Sequence, residues 1–357
     1  MGNFVLRLAC LSCPFVGPLT HLPRLRVSNK VYVQLVRESL ERASIRILAR
    51  RYKKTKKTIL KIIHQITEGL SDTLAIQKQF LPLWSGILVF DGKVIRVYDA
   101  LMAKIKHPSF NEDERQWIHK MRWLCGIDYA TGDLPHYFLA SGETRIELVM
   151  YFQTLKRLNY PLKALVCDGN EEIPRAAKFV FGDSIVIQLC TRHFIDSLSR
   201  LLPPEEEEPE ARIKLQELMR LMKHVIEADA LEEVWIFIKE LHAYSMTFRH
   251  PIKKTFLKLF EMHKEALCAH LLHPELHLPH TSNDIENLFK QLNLRLKSLG
   301  RFFHQRYASD YLKAWALLRR FTPFTDCKGD RKYRNGKAPL TLAGCDIQNI
   351  DPFKLQN

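Results

Sequence analysis

Apolar residues recur at helical spacing in three short segments near the N-terminus, which predicts three helices. The apolar positions of these segments are Tyr32, Leu35, Val36 and Leu40; Ile45, Ile47, Leu48 and Tyr52; and Ile59, Leu60, Ile62, Ile63 and Ile66. The polar turn Lys53-Lys54-Thr55 separates the second helix from the third, and Thr55 can cap the third helix. Two short helices joined by a tight turn are typical of a helix-turn-helix, so residues 30–84 are predicted to form a DNA-binding region of this kind.

Basic charge is concentrated in the same region. Between Arg24 and Lys61 there are 13 Lys and Arg residues and two acidic residues. In a helix-turn-helix, side chains at the start of the second helix contact base edges or phosphates. The residues predicted to contact DNA are therefore Lys53, Lys54, Lys56 and Lys57. The alternative is a basic helical hairpin with solvated charges, but the concentration of charge on the turn and the recognition helix favours DNA binding.

From residue 87 the pattern changes to short apolar runs that are typical of strands. Strands are predicted at 87–97, 123–128, 137–140, 164–168 and 185–189, with helices at 143–158 and 173–181. This βββαβαβ order, with parallel and antiparallel neighbours, predicts an α/β fold over residues 85–202. We expect an RNase H-like mixed five-stranded sheet with flanking helices.

The residues after the predicted sheet have helical spacing. An acidic linker between prolines opens region 203–280, which is predicted to be an all-helical insertion. A final amphipathic helix at 283–299 is stopped by Gly300 and belongs to a second part of the core, residues 281–322. We expect a partly disordered N-terminal segment at 1–29 and an irregular tail at 323–357.

The chain as a whole is basic, with 54 Lys and Arg against 39 Asp and Glu, and a formal charge of +15 over 357 residues. Such an excess indicates a polyanionic partner, of which nucleic acid is the commonest. No run of about 20 apolar residues is present, so no membrane span is expected.

The eight cysteines are scattered, which favours a reducing compartment, and we expect a cytoplasmic, nucleoid-associated protein. Cys10-x2-Cys13 has the spacing of half a zinc knuckle but lacks a second pair, so a complete zinc site is not expected there.

Two aspartates lie in otherwise apolar predicted strands, Asp91 in the first and Asp168 at the end of the fourth. An ionised carboxylate is costly there unless it is paired or binds a metal. Those strands are neighbours in an RNase H-like sheet, so we expect the two carboxylates to converge, with Glu286 on the last helix as the third acid. Three carboxylates around one point bind hard cations such as Mg²⁺. Asp128, in the second strand, is a rival that we expect to lie beside the centre.

Each of the three acids also has a structural alternative. Asp91 and Asp168 both precede a glycine, and Asp-Gly is a common turn pair. Asn283 and Glu286 have the spacing of a capping box, and Glu286 could pair with Lys290 four residues later. Spacing alone leaves these alternatives open.

Four motifs in chain order resemble the DDE transposases of bacterial insertion sequences and their Mutator-like relatives. They are Phe90-Asp91-Gly92, Cys167-Asp168-Gly169, Cys190-x2-His193, and Ser282-Asn283-Asp284-Ile285-Glu286-Asn287 continuing through Arg295-Leu296-Lys297. The resemblance implies that Asp91, Asp168 and Glu286 hold two Mg²⁺ ions, for which Mn²⁺ can substitute. It also implies that His193 contacts the scissile strand or supports the triad. It further implies that three basic residues contact the phosphate backbone: Lys290, Arg295 and Lys297.

The activity that the resemblance implies is Mg²⁺-dependent cleavage of double-stranded DNA at transposon ends, followed by strand transfer into target DNA. A homo-oligomer on DNA is expected, because such enzymes act on paired ends. The alternatives are an RNase H-like nuclease or resolvase without strand transfer, and a non-catalytic DNA-binding protein derived from a transposase. The histidines between His263 and His280 are interrupted by prolines and lack zinc-finger spacing, so polar loop residues near DNA are the favoured interpretation.

Overall fold

The computed structural model describes residues 7–9, 16–18, 29–41, 43–98, 118–300 and 302–355. The strands are β1 (Arg7–Ala9), β2 (Val16–Pro18), β3 (Ile87–Tyr98), β4 (Ile118–Asp128), β5 (Tyr137–Ala140), β6 (Ala164–Cys167) and β7 (Val186–Leu189). The helices are α1 (Asn29–Glu41), α2 (Ile45–Arg51), α3 (Lys56–Glu68), α4 (Thr73–Phe80), α5 (Arg145–Arg157), α6 (Glu172–Phe181), α7 (Thr191–Ser199), α8 (Pro209–Ile226), α9 (Leu231–Ser245), α10 (Pro251–Leu267), α11 (Ala269–Leu272), α12 (Asn283–Leu299), α13 (Gln305–Phe321) and α14 (Pro339–Leu342).

Five strands form a mixed central sheet in the order β5-β4-β3-β6-β7. Strand β4 is antiparallel to β3 and β5, whereas β6 is parallel to β3 and β7. This order and these directions are consistent with the RNase H-like sheet that the sequence predicts. β4 begins at Ile118, earlier than predicted, because β3 continues to Tyr98 and gives the added residues a partner.

A second, two-stranded sheet lies in the N-terminal segment, where β1 and β2 pair antiparallel. No sequence pattern predicted it. Cys10 and Cys13, which have the spacing of half a zinc knuckle, lie outside the described residues.

Alternate residues of β3 enter two apolar cores, as expected for a sheet covered on both faces. Phe90 packs in the core beneath α5, where its ring lies 4.8 Å from that of Tyr151. Val89 belongs to the opposite core, which also contains Trp123 of β4. The Trp123 ring lies 5.9 Å from that of Trp315 on α13, so the helices that follow the sheet cover this second face.

The three N-terminal helices pack on one another; α1 also contacts α12 and α13, and α3 contacts α13. Thr55 caps α3 as the sequence predicts, because its Oγ1 accepts a hydrogen bond of 3.1 Å from the backbone N–H of Thr58. The second half of α3 is covered by α13, where the rings of His64 and Tyr307 stack at 3.6 Å. The helices are where the periodicity placed them, and DNA binding by them stays a prediction.

Residues 209–272 are helical, as predicted, and form α8 to α11. Leu218 and Met222 of α8 and Phe256 of α10 are buried in the same core as Phe90, and α10 contacts β7. Their apolar faces therefore extend the core on one side of the sheet. That these helices are an insertion before a last catalytic helix stays an interpretation.

The C-terminal residues differ from the irregular tail that we expected. Leu340 in α14 and Phe353 in a short 3₁₀ turn are buried in the core that contains Trp123. Arg37 of α1 forms an ion pair with Asp351 and lies over the Phe353 ring. Isolated apolar anchors of this kind leave no periodic pattern, which is why the sequence did not predict them.

Within the described parts of the chain, no helix combines the length and the apolar character needed to cross a membrane.

Candidate active site

Asp91 within β3 and Asp168 just after β6 lie at matching positions of two neighbouring strands. Parallel strands β3 and β6 pair with Val89 opposite Val166, and each aspartate lies two residues beyond this pair. Matching positions on neighbouring strands project to the same face. The negative charge of Asp168 helps to raise the pKa of Asp91, so the two carboxylates interact. The structure thus brings these two predicted residues together.

Asp91 is largely buried within β3. Desolvation by burial, and then the charge of Asp168, raise the pKa of Asp91 to about 7. The backbone N–H of Gly92, which donates to Asp91 Oδ1 at 2.6 Å, acts in the opposite direction, as does His193. Because β3 continues through Gly92 to Tyr98, the Asp-Gly pair does not form a turn. The turn interpretation is therefore wrong for Asp91.

Asp168 does take part in a local turn, because its Oδ1 accepts a hydrogen bond of 3.0 Å from the backbone N–H of Asn170. This turn leads from β6 into α6. Turn geometry and proximity to Asp91 therefore coexist at Asp168.

A fourth acid, Glu143, lies beside this pair and was missed in the sequence. Its carboxylate crosses the backbone of Gly92 so closely that a Cβ on Gly92 would lie 1.7 Å from Glu143 Oε1. Burial raises the pKa of Glu143, Arg122 lowers it, and the charge of Asp168 raises it further. The available signal was Gly92 itself, because a glycine within a strand often marks a close approach.

Glu143 is positioned by the start of α5. Thr144 and Glu147 form a capping box, in which Glu147 N donates to Thr144 Oγ1 and the Glu147 carboxylate accepts from Thr144 N. This cap fixes the backbone immediately after Glu143.

Glu286 lies in the first turn of α12, and its carboxylate faces α7. It forms an ion pair with Arg192, and its Oε1 accepts a hydrogen bond of 3.2 Å from Ser282 Oγ. The predicted local alternatives are wrong: the N-cap of α12 is Ser282 with no side-chain cap bond. Lys290 donates to Asn287 at 3.4 Å instead of pairing with Glu286. Arg192 had no distinguishing signal in the sequence.

Cys190 and His193 lie where β7 passes into α7. The backbone N–H of Cys190 donates to Cys167 O at 2.8 Å, which places it next to the strand that ends in Asp168. Burial tends to raise the pKa of the Cys190 thiol, but hydrogen bonds with His193 and Ser282 lower it to about 7. The hydrogen bond with Cys190 raises the pKa of His193 to about 9 against the effect of burial. A thiolate–imidazolium pair is therefore favoured near neutral pH.

The three predicted acids do not form one closed ligand set. Among the described residues, the single group of three His, Cys, Asp or Glu side chains whose ligand atoms lie within 4.8 Å of one another is Cys190, His193 and Glu286. His193 lies between the two halves of the site: its Nε2 is 3.9 Å from Glu286 Oε1, and its charge lowers the pKa of Asp91.

Asp128, the rival acid, is fully buried and has a structural role. Its carboxylate accepts hydrogen bonds from the hydroxyls of Ser85, Thr131 and Tyr160 at 2.8, 2.8 and 2.9 Å. These bonds hold the loops next to the C-terminal end of β4.

The basic side chains predicted to contact DNA fall into two places. Lys53, Lys54, Lys56 and Lys57 are exposed at the turn between α2 and α3. Lys53 adopts a φ of 50° there, a left-handed conformation that closes the turn. Helical geometry puts Lys290 and Lys297 on the same face of α12 and exposes both. Arg295 is half-buried on another face, where its charge reaches Tyr311.

Lys290 also lines a cavity of about 480 Å³ that the sequence did not reveal. Its basic lining residues are Lys290, Arg319, Lys328, Arg331 and Arg334, and its acidic ones are Asp284 and Asp326. Arg331 is paired with Asp284, and burial lowers the pKa of Arg319 to about 10. The positive charges exceed the negative ones, so the cavity suits an anionic group.

The histidines from His263 to His280 do not gather into a metal-binding group among the described residues. His270 Nδ1 lies 3.2 Å from Gln188 Oε1, and its ring centroid is 5.6 Å from that of His280. Burial lowers the pKa of His270, so it is a neutral packing residue near pH 7.

No family model matches the sequence, and no curated protein matches it. One solved structure to which the chain is similar is the Drosophila P element transposase strand transfer complex, with 11% sequence identity and a TM-score of 0.35. The match covers 93% of this chain and 94% of that chain.

Proposed function

We propose that the chain is a transposase that cleaves DNA at transposon ends and transfers the freed 3′-OH into target DNA by a DDE two-metal reaction. The observation that carries the proposal is the pair of carboxylates, Asp91 and Asp168, on adjacent parallel strands of an RNase H-like sheet. Two carboxylates at matching positions of neighbouring strands provide oxygen ligands for hard cations.

The donor set fits Mg²⁺. Asp91, Asp168 and Glu143 crowd negative charge together, and burial plus the charge of Asp168 already raise the pKa of Asp91 to about 7. A divalent cation would offset this repulsion. When bound, two such ions activate the attacking oxygen and stabilise the leaving oxygen. In the proposal Asp91 and Asp168 hold the ions, and Glu286 joins them by exchanging its partner Arg192 for metal.

Other residues would position the DNA. His193, held cationic by Cys190, lies between Asp91 and Glu286, where a positive charge suits a scissile phosphate. Lys290 and Lys297 share one face of α12 with Glu286, so they would contact the phosphates that flank the cleaved bond. In this proposal the lysines between α2 and α3 bind the transposon end, and a homo-oligomer holds two ends together.

The test is nicking of a supercoiled plasmid that carries the DNA flanking the coding sequence, with Mg²⁺ or Mn²⁺. Wild type is expected to nick the plasmid. The nicking rate of Asp168→Asn should be lower by at least about a thousandfold, because a metal ligand is removed. Glu172→Gln is the matched control, since Glu172 is a nearby exposed carboxylate paired with Arg175. Equal nicking by wild type and Asp168→Asn would contradict the proposal.

Strand transfer separates a transposase from a simple nuclease. Duplexes that represent the flanking DNA, already cut to expose a 3′-OH, are incubated with plasmid and Mg²⁺. Joined products that are lost in Asp91→Asn support the transposase. Nicking without joining would assign the chain to the nuclease alternative.

A further inference from the structure

A thiol, an imidazole and a carboxylate meet between α7 and α12. We call Cys190, His193 and Glu286 the Cys190 cluster; their ligand atoms lie within 4.8 Å of one another. Thiolate and imidazole ligands suit Zn²⁺ and similar borderline-soft ions, whereas Mg²⁺ selects oxygen. The cluster therefore differs in chemistry from the carboxylates of Asp91 and Asp168.

The spacing is close to that of a metal site. With Zn–N and Zn–O bonds of about 2.0–2.2 Å, a tetrahedral angle separates the two donor atoms by roughly 3.4 Å. His193 Nε2 and Glu286 Oε1 are 3.9 Å apart. His193 and Glu286 are half-buried, so their side chains can rotate to shorten this distance.

The Ser282 hydroxyl marks the common centre of the cluster. Its Oγ lies 3.3 Å from Cys190 Sγ, 3.4 Å from His193 Nδ1 and 3.2 Å from Glu286 Oε1. A hydroxyl has one proton and can donate to one acceptor at a time. The three side chains therefore surround the Ser282 hydroxyl, which would have to rotate away for a metal ion to take its place.

The backbone holds the ligands firmly. Cys190 is anchored to β6 through Cys167, and it is only 1% exposed. His193 follows three residues later on the first turn of α7, so the two side chains share a face. The backbone N–H of Ser282 reaches Cys190 Sγ at 3.4 Å and fixes the start of α12, which carries Glu286.

We propose that Cys190, His193 and Glu286 bind one divalent ion of the Zn²⁺ class, with a fourth coordination position open to water or to a DNA oxygen. Sites with three protein ligands and an open position are typical of reactive zinc. Two consequences depend on the proposed function: Zn²⁺ and the catalytic Mg²⁺ compete for Glu286, and a His193 that binds Zn²⁺ cannot also be the cation beside the scissile phosphate.

The test is titration of the full-length protein with Co²⁺, which replaces Zn²⁺ and gives a thiolate-to-cobalt charge-transfer band when cysteine is a ligand. Because Cys10 and Cys13 could also bind Co²⁺, every protein carries Cys10→Ser and Cys13→Ser. In this background we expect each chain to bind one Co²⁺ ion, which produces the band. Added Zn²⁺ should displace the Co²⁺ and remove the band. Cys190→Ser should abolish the band and weaken Zn²⁺ binding at least about tenfold.

Two controls make the outcome decisive. Cys268→Ser removes a different buried thiol and should leave the band unchanged. Asp91→Asn removes a carboxylate of the proposed Mg²⁺ site and should also leave it unchanged, so loss of nicking and loss of Zn²⁺ binding are separable. Absence of a band in the background protein, or its survival in Cys190→Ser with native circular dichroism, would overturn the proposal.

Discussion

Arg192 on α7 forms an ion pair with Glu286 on α12. Arg192 also donates to Asn283 Oδ1 at 3.2 Å, so its guanidinium bridges the first turn of α12. The pair links the end of the sheet to the helix that carries the third predicted acid. It also means that Glu286 must leave Arg192 before it can bind a catalytic metal ion.

We expect Arg192→Gln to lower the Mg²⁺ concentration that gives half-maximal nicking. Arg192 is 45% exposed, and an exposed ion pair is worth about 0.2–1 kcal/mol, so the shift should be at most about fivefold. The measurement is a Mg²⁺ titration at saturating DNA. Arg175→Gln, which breaks ion pairs on α6, is the control and should not shift it. A higher Mg²⁺ requirement in Arg192→Gln would show that the pair assists metal binding.

Asp91→Asn should stabilise the metal-free protein, and more at pH 8 than at pH 5. Burial, followed by the charge of Asp168, raises the pKa of Asp91 to about 7 in the folded state. A carboxyl group whose folded pKa is raised contributes stability at low pH and loses it as pH rises through the folded pKa. The difference between the two pH values should reach roughly 2 kcal/mol.

The measurement is urea denaturation in the presence of a chelator at both pH values. Glu172→Gln, on the exposed surface of α6, serves as the control for loss of a carboxylate. An identical stability change for Asp91→Asn at pH 5 and pH 8 would rule out the raised pKa.

Gly92→Ala should displace the Glu143 carboxylate from the site while leaving the fold intact. The added Cβ would lie 1.7 Å from Glu143 Oε1, but that carboxylate ends a flexible side chain and can move. We therefore expect an unfolding free energy within about 1 kcal/mol of wild type. Nicking should fall about tenfold, as for a group that supports metal ligands.

Glu143→Gln should reproduce this loss, and the double variant should lose no more than either single one. Additive losses in the double variant would show that Gly92 and Glu143 act separately.

Lys56→Ala combined with Lys57→Ala should weaken DNA binding and reduce its salt dependence. Both lysines are exposed at the start of α3, where a recognition helix contacts phosphates. Each lost phosphate contact lowers the slope of log K against log salt by about 0.9. Fluorescence anisotropy over a salt series measures the slope. Lys239→Ala with Lys254→Ala, two exposed lysines on α9 and α10, is the control with equal loss of charge.

Local patterns were sufficient to predict the strands of the central sheet and the longer helices that pack on it. The five core strands and the helix from Asn283 to Leu299 follow from apolar spacing and from stops such as Gly300, because these signals depend on neighbouring residues. The cap at Thr55 was likewise predicted from sequence alone. The sequence thus determined the order of the strands along the chain, and the expectation of an RNase H-like sheet placed Asp91 and Asp168 on adjacent strands.

Only the tertiary structure decided how the side chains around those aspartates are arranged. Glu143 reaches the site because Gly92 has no side chain. Arg192 pairs with Glu286 because the starts of α7 and α12 meet, where Ser282 N donates to Cys190 Sγ. Both contacts join residues more than 50 positions apart in the chain. Spacing along a sequence reports which face of an element a residue occupies, but the distance between two faces depends on how whole elements pack.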